Sequence, residues 1–237
     1  MSTIIGFIAK PLGMLLSGIY GVIGNYGITL IIFTVIVRLC LFPLYANQIK
    51  HTAKMGNVQP KMQEIQKKYA HDKEEMNKRM MELYQQENFN PMRGCLPMLI
   101  QFPIIIGLFS LLRTPMQYLE NSPDMIMAVH EGFLWINDLS HPDLWILPIV
   151  AGITTFISFS VTQAQNTSTQ MNNQMSGMMK MMRYFFPIMI VWMGRTFPAG
   201  LALYWVIGNL FTILQSQILN RMRKKWMKSD NKKASKK

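Results

Sequence analysis

Residues 31 to 44 read IIFTVIVRLCLFPL and belong to one of five apolar stretches, each near the length at which a helix crosses about 30 Å of hydrocarbon. The stretches lie at 27–45, 95–112, 144–162, 178–194 and 199–219. In lipid every backbone polar group must be bonded internally, so these runs predict helices and an all-α, polytopic membrane protein with five transmembrane segments. The fourth is wholly apolar only from Tyr184 to Met193 and spans if Lys180 and Arg183 snorkel to the interface. Composition agrees, because only 15% of the 237 residues are charged and the formal net charge is +12. A soluble domain carries about 25% charge.

The connections set the orientation. Lys and Arg number nine in 46–94, nine after Leu219 and two in 163–183, whereas the connection 114–144 has none and carries Glu120, Asp124, Glu131, Asp138 and Asp143. The positive-inside rule then puts the basic connections in the cytosol, the acidic loop 113–143 outside, the N-terminus outside and the C-terminus inside. Residues 1–24 are interrupted at Lys10 and Pro11 and have no basic start or clear small-residue cleavage site. They read as an external interfacial amphipathic helix, with a signal anchor as the alternative.

Between the first span (25–45) and the second (95–112), Met55, Val58, Met62, Ile65 and Tyr69 recur every three or four residues, and Met76, Met80 and Leu83 resume after the break AHDK. This seam predicts a cytosolic antiparallel helical hairpin within 46–94, with Pro60 in the first turn of its main helix. Residues 163–177 are polar, uncharged and turn-prone, and read as a cytosolic loop between the third span (144–162) and the fourth (178–194). The tail 220–237 is a basic low-complexity run expected to be disordered, with two ready partners, the anionic leaflet and ribosomal RNA. The 22 Met residues suit either adaptable apolar surfaces or plain gap filling. Cys40 and Cys95 lack metal-ligand spacing and read as reduced thiols.

Arg38 is the anomaly in the first span, since a central Arg costs an isolated membrane helix roughly 2.5–3.5 kcal/mol. Snorkelling is one answer: Tyr45 is seven residues on, roughly 10 Å along a helix. A wet cavity shared with other spans is the other, and it requires polar stripes elsewhere. Thr34 shares the face of Arg38; Thr155, Ser158, Thr162 and Gln165 line one face of the third span; Trp205, Asn209, Thr212 and Ser216 line one face of the fifth; Gln101 stands in the second. Four spans with a polar side favour the cavity. No span holds Asp or Glu, and His51, His71, His130 and His141 all fall in connections. Neither a protease centre nor a proton-coupled transport path can be assembled, and no phosphate-binding glycine loop is present, so no enzyme activity, cofactor or metal is expected. The open readings are a small-solute channel or facilitator, an assembly scaffold, and a groove in which a fixed positive charge attracts acidic peptide segments.

GNYGITLIIFTVIVRLCLFPL at 24–44, NPMRGCLPMLIQFPI at 90–104, FLWINDLSHPD at 133–143 and FPAGLALYW at 197–205 together resemble the YidC family of membrane protein insertases, in matching order from about residue 20 to 220. The likeness is to the five-span bacterial form. It implies a hydrophilic groove open to the cytosol and to lipid, with Arg38 as the groove arginine, Thr34 as a substrate-contacting position, Trp205 as the aromatic facing them and Gln101 in the motif PMLIQ. It further implies a bacterial plasma membrane location, nascent membrane proteins as clients, a substrate-receiving hairpin and a tail similar to those that contact ribosomes, acting with or without the Sec translocon and on no small molecule. Ser158 stands where many relatives have Gln, Arg93 replaces a common Gly, and Arg195 shortly precedes FPAG.

Overall fold

In a computed structural model of the protein, the described backbone comprises residues 2–53, 55–87, 96–114, 123–166 and 173–234. Nine helices are described: α1 (Ser2–Ile23), α2 (Tyr26–Ala53), α3 (Met55–Lys68), α4 (Lys73–Gln86), α5 (Leu96–Arg113), α6 (Pro123–Ala128), α7 (Ile146–Asn166), α8 (Asn173–Gly194) and α9 (Ala199–Ala234). The all-helical fold inferred from the apolar runs is therefore present. Among the described residues four segments are long and apolar enough to cross a membrane, Gly6–Ile23, Tyr26–Asn47, Ile146–Gln163 and Ala199–Met222, and Gln101–Arg113 is a shorter apolar helix.

Helix starts follow local chemistry. Asn25 Oδ1 accepts from the Ile28 amide at 3.0 Å and so caps α2, while Gly24, at φ +65°, makes the left-handed turn that separates α2 from α1. Asp72 caps α4 by accepting from the amides of Glu74 and Glu75 at 3.1 and 3.0 Å. Those two acids then sit at the positive end of the helix dipole. Asp143 does the same for α7, accepting from Trp145 and Leu147 amides at 3.1 and 2.9 Å.

The most buried of the four long apolar segments belongs to α9, which packs on α2 and α7 and more lightly on α5. Helix α1 lies along α5 and α2, and α8 packs on α7. The core is built from Leu16 of α1, Tyr26, Leu30 and Phe33 of α2, Leu108 and Leu111 of α5, Met125, Val129 and Leu139 of the acidic connection, and Ala199 to Tyr204 of α9. The acidic connection is thus part of the core. At that end of the bundle Glu131 accepts from the Tyr20 hydroxyl and, at 2.8 Å, from the Tyr26 amide, while the amides of Ala199 and Gly200 donate to His141 and Leu139 carbonyls, each at 2.9 Å. One loop therefore ties α1, α2 and α9 together. A Cβ on Gly152 would lie 2.3 Å from Val191 Cγ2 and 3.2 Å from the Pro187 carbonyl oxygen, so α7 and α8 touch nearly backbone to backbone there.

The hairpin seam packs as its spacing predicts: Val58, Met62 and Leu83 are buried, with Ile65, Met80 and Tyr84 against them. Several boundaries need correction. Helix α2 runs on to Ala53, so the hairpin begins at Met55 rather than 46, and Pro60 falls in the second turn of α3 rather than the first. Residues 163–166 and 173–177 are helical ends of α7 and α8, which shortens the expected polar loop. The tail read as disordered continues α9 as a helix to Ala234. Past Gly208 it has no Gly or Pro to stop it, and Lys, Arg and Met are good helix formers. Helix α1 runs unbroken through Pro11. It buries Ala9 and Leu16 and exposes Phe7, Met14 and Val22, and its length and apolarity also suit a span. Cys95, Arg93 and the side chain of Gln165 lie outside the described residues; Cys40 is an exposed free thiol.

Candidate functional site

Two adjacent faces of α9 organise the polar residues. Trp205 and Asn209, one turn apart, turn toward α7; Tyr204 and Gly208, also one turn apart, turn toward α2 and α5. On the first face Trp205 Nε1 donates to Thr155 Oγ1 at 2.9 Å, and the Asn209 amide lies 2.8 Å from the same hydroxyl. With its carbonyl oxygen turned inward, Asn209 accepts from both Thr155 Oγ1 and, at 3.2 Å, Trp205 Nε1. Thr154, Thr155 and Ser158 of α7 are buried, and the Trp205 indole rests at 6.2 Å from the Phe186 ring. The indole N–H is thus directed at α7 and not at Arg38.

On the second face the Tyr204 hydroxyl accepts from Gln101 Nε2 at 2.7 Å. The half-buried Arg38 lays its guanidinium on the α9 backbone where glycine leaves room: a Cβ on Gly208 would be 2.6 Å from Nη2. Nη1 donates to the Tyr45 hydroxyl at a long 3.4 Å, so the side chain leans toward the hairpin end of α2 as snorkelling requires, while staying between α2 and α9. Arg38 and Tyr45 both lie within electrostatic range of the Tyr204 hydroxyl.

Which of these groups are already satisfied decides what the site can take up. Thr34 donates to the Leu30 carbonyl at 2.6 Å, Thr162 to Ser158 at 2.8 Å, Thr212 to Gly208 at 2.8 Å and Ser216 to Ile213 at 2.7 Å. Those hydroxyls bond their own helices and need no outside partner. Arg38 Nε and Gln101 Oε1 are buried and have none among the described residues. No ion pair to Arg38 occurs among the described residues; α2, α5, α7 and α8 contain no Asp or Glu, and α9 has only Asp230 in its distal part. A buried donor and a buried acceptor left open cost about 1–3 kcal/mol each, so water or a visiting polar group is needed to complete the site. Tyr204, Tyr45 and Gly208 were not singled out from the sequence as site residues. The signal for Tyr204 and Gly208 was the four-residue step between them beside the Trp205–Asn209 step.

The acidic end carries a second polar cluster. Asp138 accepts from the Ser140 amide and hydroxyl at 2.7 and 2.6 Å and meets His130 Nδ1 and His141 Nδ1 at 3.1 and 2.9 Å. Partial burial alone would raise its pKa, but these hydrogen bonds outweigh that and hold the carboxyl at about 2. Asp143 is lowered in the same way, burial being offset by Trp135 and by the first amides of α7.

Apolar helices around a seam of buried polar side chains, with Arg38 half-buried between α2 and α9, define a polytopic α-helical membrane protein. The family model described as 60Kd inner membrane protein matches residues 18–227. A protein of Oceanobacillus iheyensis named membrane protein insertase YidC is 41% identical over 217 residues, covering 89% of this chain and 81% of the relative. Membrane protein insertase YidC 1 of Listeria monocytogenes is 39% identical over 202 residues, covering 83% of this chain and 64% of the relative. A crystal structure of an active YidC insertase with its first transmembrane domain resolved superposes with a TM-score of 0.59 at 26% identity, over 87% of this chain and 45% of that one. The chain belongs to the 60Kd inner membrane protein family, that of the YidC insertases.

Proposed function

We propose that the chain is a membrane protein insertase that receives polar segments of nascent membrane proteins at Arg38 and passes their apolar segments into lipid. The carrying observation is the guanidinium laid on Gly208 with Nε unpartnered, among α2, α5, α7 and α8 without any acid. Arg stays charged, and at low dielectric a fixed charge acts strongly on an approaching carboxylate. An extended peptide supplies both missing partners, an acceptor for Arg38 and an N–H donor for Gln101 Oε1. Thr34, Thr155, Ser158, Trp205, Asn209 and Thr212 then form the polar wall beside it. Phe102 and Ile106 of α5 and Leu210, Leu214 and Ile218 of α9 are exposed apolar flanks along which a client segment meets lipid. Burial in lipid at about 0.8 kcal/mol per CH2 supplies the driving force, so the scheme needs no nucleotide.

In this reading the protein lies in a bacterial plasma membrane with the acidic loop outside and the hairpin and basic tail in the cytosol, where the tail meets the ribosome and the Sec translocon is an optional partner. The names of the relatives support it, as does the charge asymmetry of the connections. Growth of an insertase-depleted bacterium complemented by the wild-type chain, and failing with Arg38→Ala at equal membrane abundance, is the expected result. Full complementation by Arg38→Ala would remove the role given to the arginine.

A further inference from the structure

We propose that His130, Asp138 and His141 form a binding site for a divalent first-row transition cation, with zinc the best fit, at the acidic end of the bundle. The ligand atoms of the three residues all lie within 4.8 Å of one another although they come from two separate stretches of the connection. Two imidazoles and one carboxylate are a donor set suited to zinc, which takes such ligands at about 2.0–2.2 Å. A tetrahedral cation with bonds near 2.0 Å separates its ligands by about 3.3 Å, and an octahedral one by about 2.8 Å. The two Nδ1 atoms stand 3.1 and 2.9 Å from Asp138 Oδ2, so each histidine is already at coordination spacing from the carboxylate.

The scaffold under these ligands is pinned. Leu139 N donates to the Glu131 carbonyl at 3.1 Å, and the His141 and Leu139 carbonyls are held by the first amides of α9. Ser140 engages Oδ1 of Asp138 through both its amide and its hydroxyl, which leaves Oδ2 directed at the histidines. Such outer contacts orient metal ligands and set their affinity. Ser140 Oγ, 2.9 and 3.1 Å from the two Nδ1 atoms, marks the corner that a fourth ligand or a water would take. Both histidines are exposed, so a cation reaches the site from solvent. Binding needs each imidazole to keep its proton on Nε2, a change of tautomer in the neutral ring. The cation would clamp the stretch after α6 to the turn before α7. That same loop holds α1 and α2 through Glu131.

Full-length protein in nanodiscs, with its affinity tag removed, would be titrated with zinc alone against a chromophoric chelator. One zinc per chain is expected, with affinity falling more than about tenfold in His130→Ala, His141→Ala and Asp138→Asn, and unchanged in His71→Ala on the hairpin. Equal affinity in wild type and His141→Ala would overturn the proposal. Zinc X-ray absorption on the wild type is independent of how any variant folds: a shell near 2.0 Å with imidazole outer scattering is expected. A shell without imidazole would overturn the site.

Discussion

Arg38 and Asp138 are charged residues of opposite consequence. Arg38 has no counter-charge among the described residues, and in the proposed function it acts on the carboxylates of the client. In a reconstituted insertion assay Arg38→Lys should keep part of the activity because the charge survives without the planar fork. Arg38→Ala should lower insertion of clients with acidic translocated segments roughly tenfold, the order of one lost charge-assisted hydrogen bond, and spare clients with uncharged ones. If all three proteins insert both kinds alike, Arg38 only snorkels. Asp138 is fully partnered, and its carboxyl sits at about 2 against the ordinary 3.8. A depressed folded-state value contributes stability above the unfolded value and loses it as the pH falls through the folded one. Thermal unfolding of the wild type should therefore exceed that of Asp138→Asn above pH 4, and the gap should close as the pH falls to about 2. A gap that persists at pH 2 would mean the hydrogen bonds act without the charge.

At the scale of elements, the hairpin and the α7–α8 pair are held by different means. The hairpin is a seam of side chains, with Met62 buried and Met81 61% exposed on the opposite face. Met62→Asp should cost about 2–4 kcal/mol and open α3 and α4 to limited proteolysis, whereas Met81→Asp should leave the cleavage pattern unchanged. Equal sensitivity would refute the register. Helices α7 and α8 instead meet through an absent side chain. Gly152→Ala puts a methyl onto Val191 and the Pro187 carbonyl and should lower stability by about 1–3 kcal/mol, read as a fall in the detergent melting temperature. An unchanged melting temperature would show that the two helices separate at no cost.

For the whole molecule the alternation of connections is the decisive property. The acidic loop, the α1–α2 turn and the α8–α9 turn gather at one end through Glu131, Leu139 and His141, and the hairpin follows the far end of α2. In a background without Cys40 and Cys95, a membrane-impermeant thiol reagent applied from outside should label a cysteine placed at exposed Asn137 and spare one at exposed Asn77. The reverse pattern would invert the protein and leave Arg38 in the wrong leaflet for the proposed route.

The all-helical class, the heptad-like seam and the sign of each connection were legible along the chain because each is a one-dimensional property: apolar run, periodicity and local charge. The set of spans was not, since α1, read as interfacial, has the length and apolarity of a span while 178–194 is not among the segments that do. The polar stripe of Trp205, Asn209 and Thr212 was legible through its periodicity. Its partners were not, because periodicity states which residues share a face and not which helix that face meets. Only packing decided that Trp205 bonds Thr155 and not Arg38, that Arg38 rests on Gly208, and that Tyr204 joins Gln101. Packing likewise brought His130 within reach of Asp138 and His141, since a loop pinned at Glu131 and at the start of α9 folds back on itself in a way no local pattern records. The sequence by itself thus determined a membrane bundle with a cation, Arg38, inside an apolar run, and tertiary structure decided which polar groups satisfy one another and which are left open, because that depends on contacts between residues far apart in the chain.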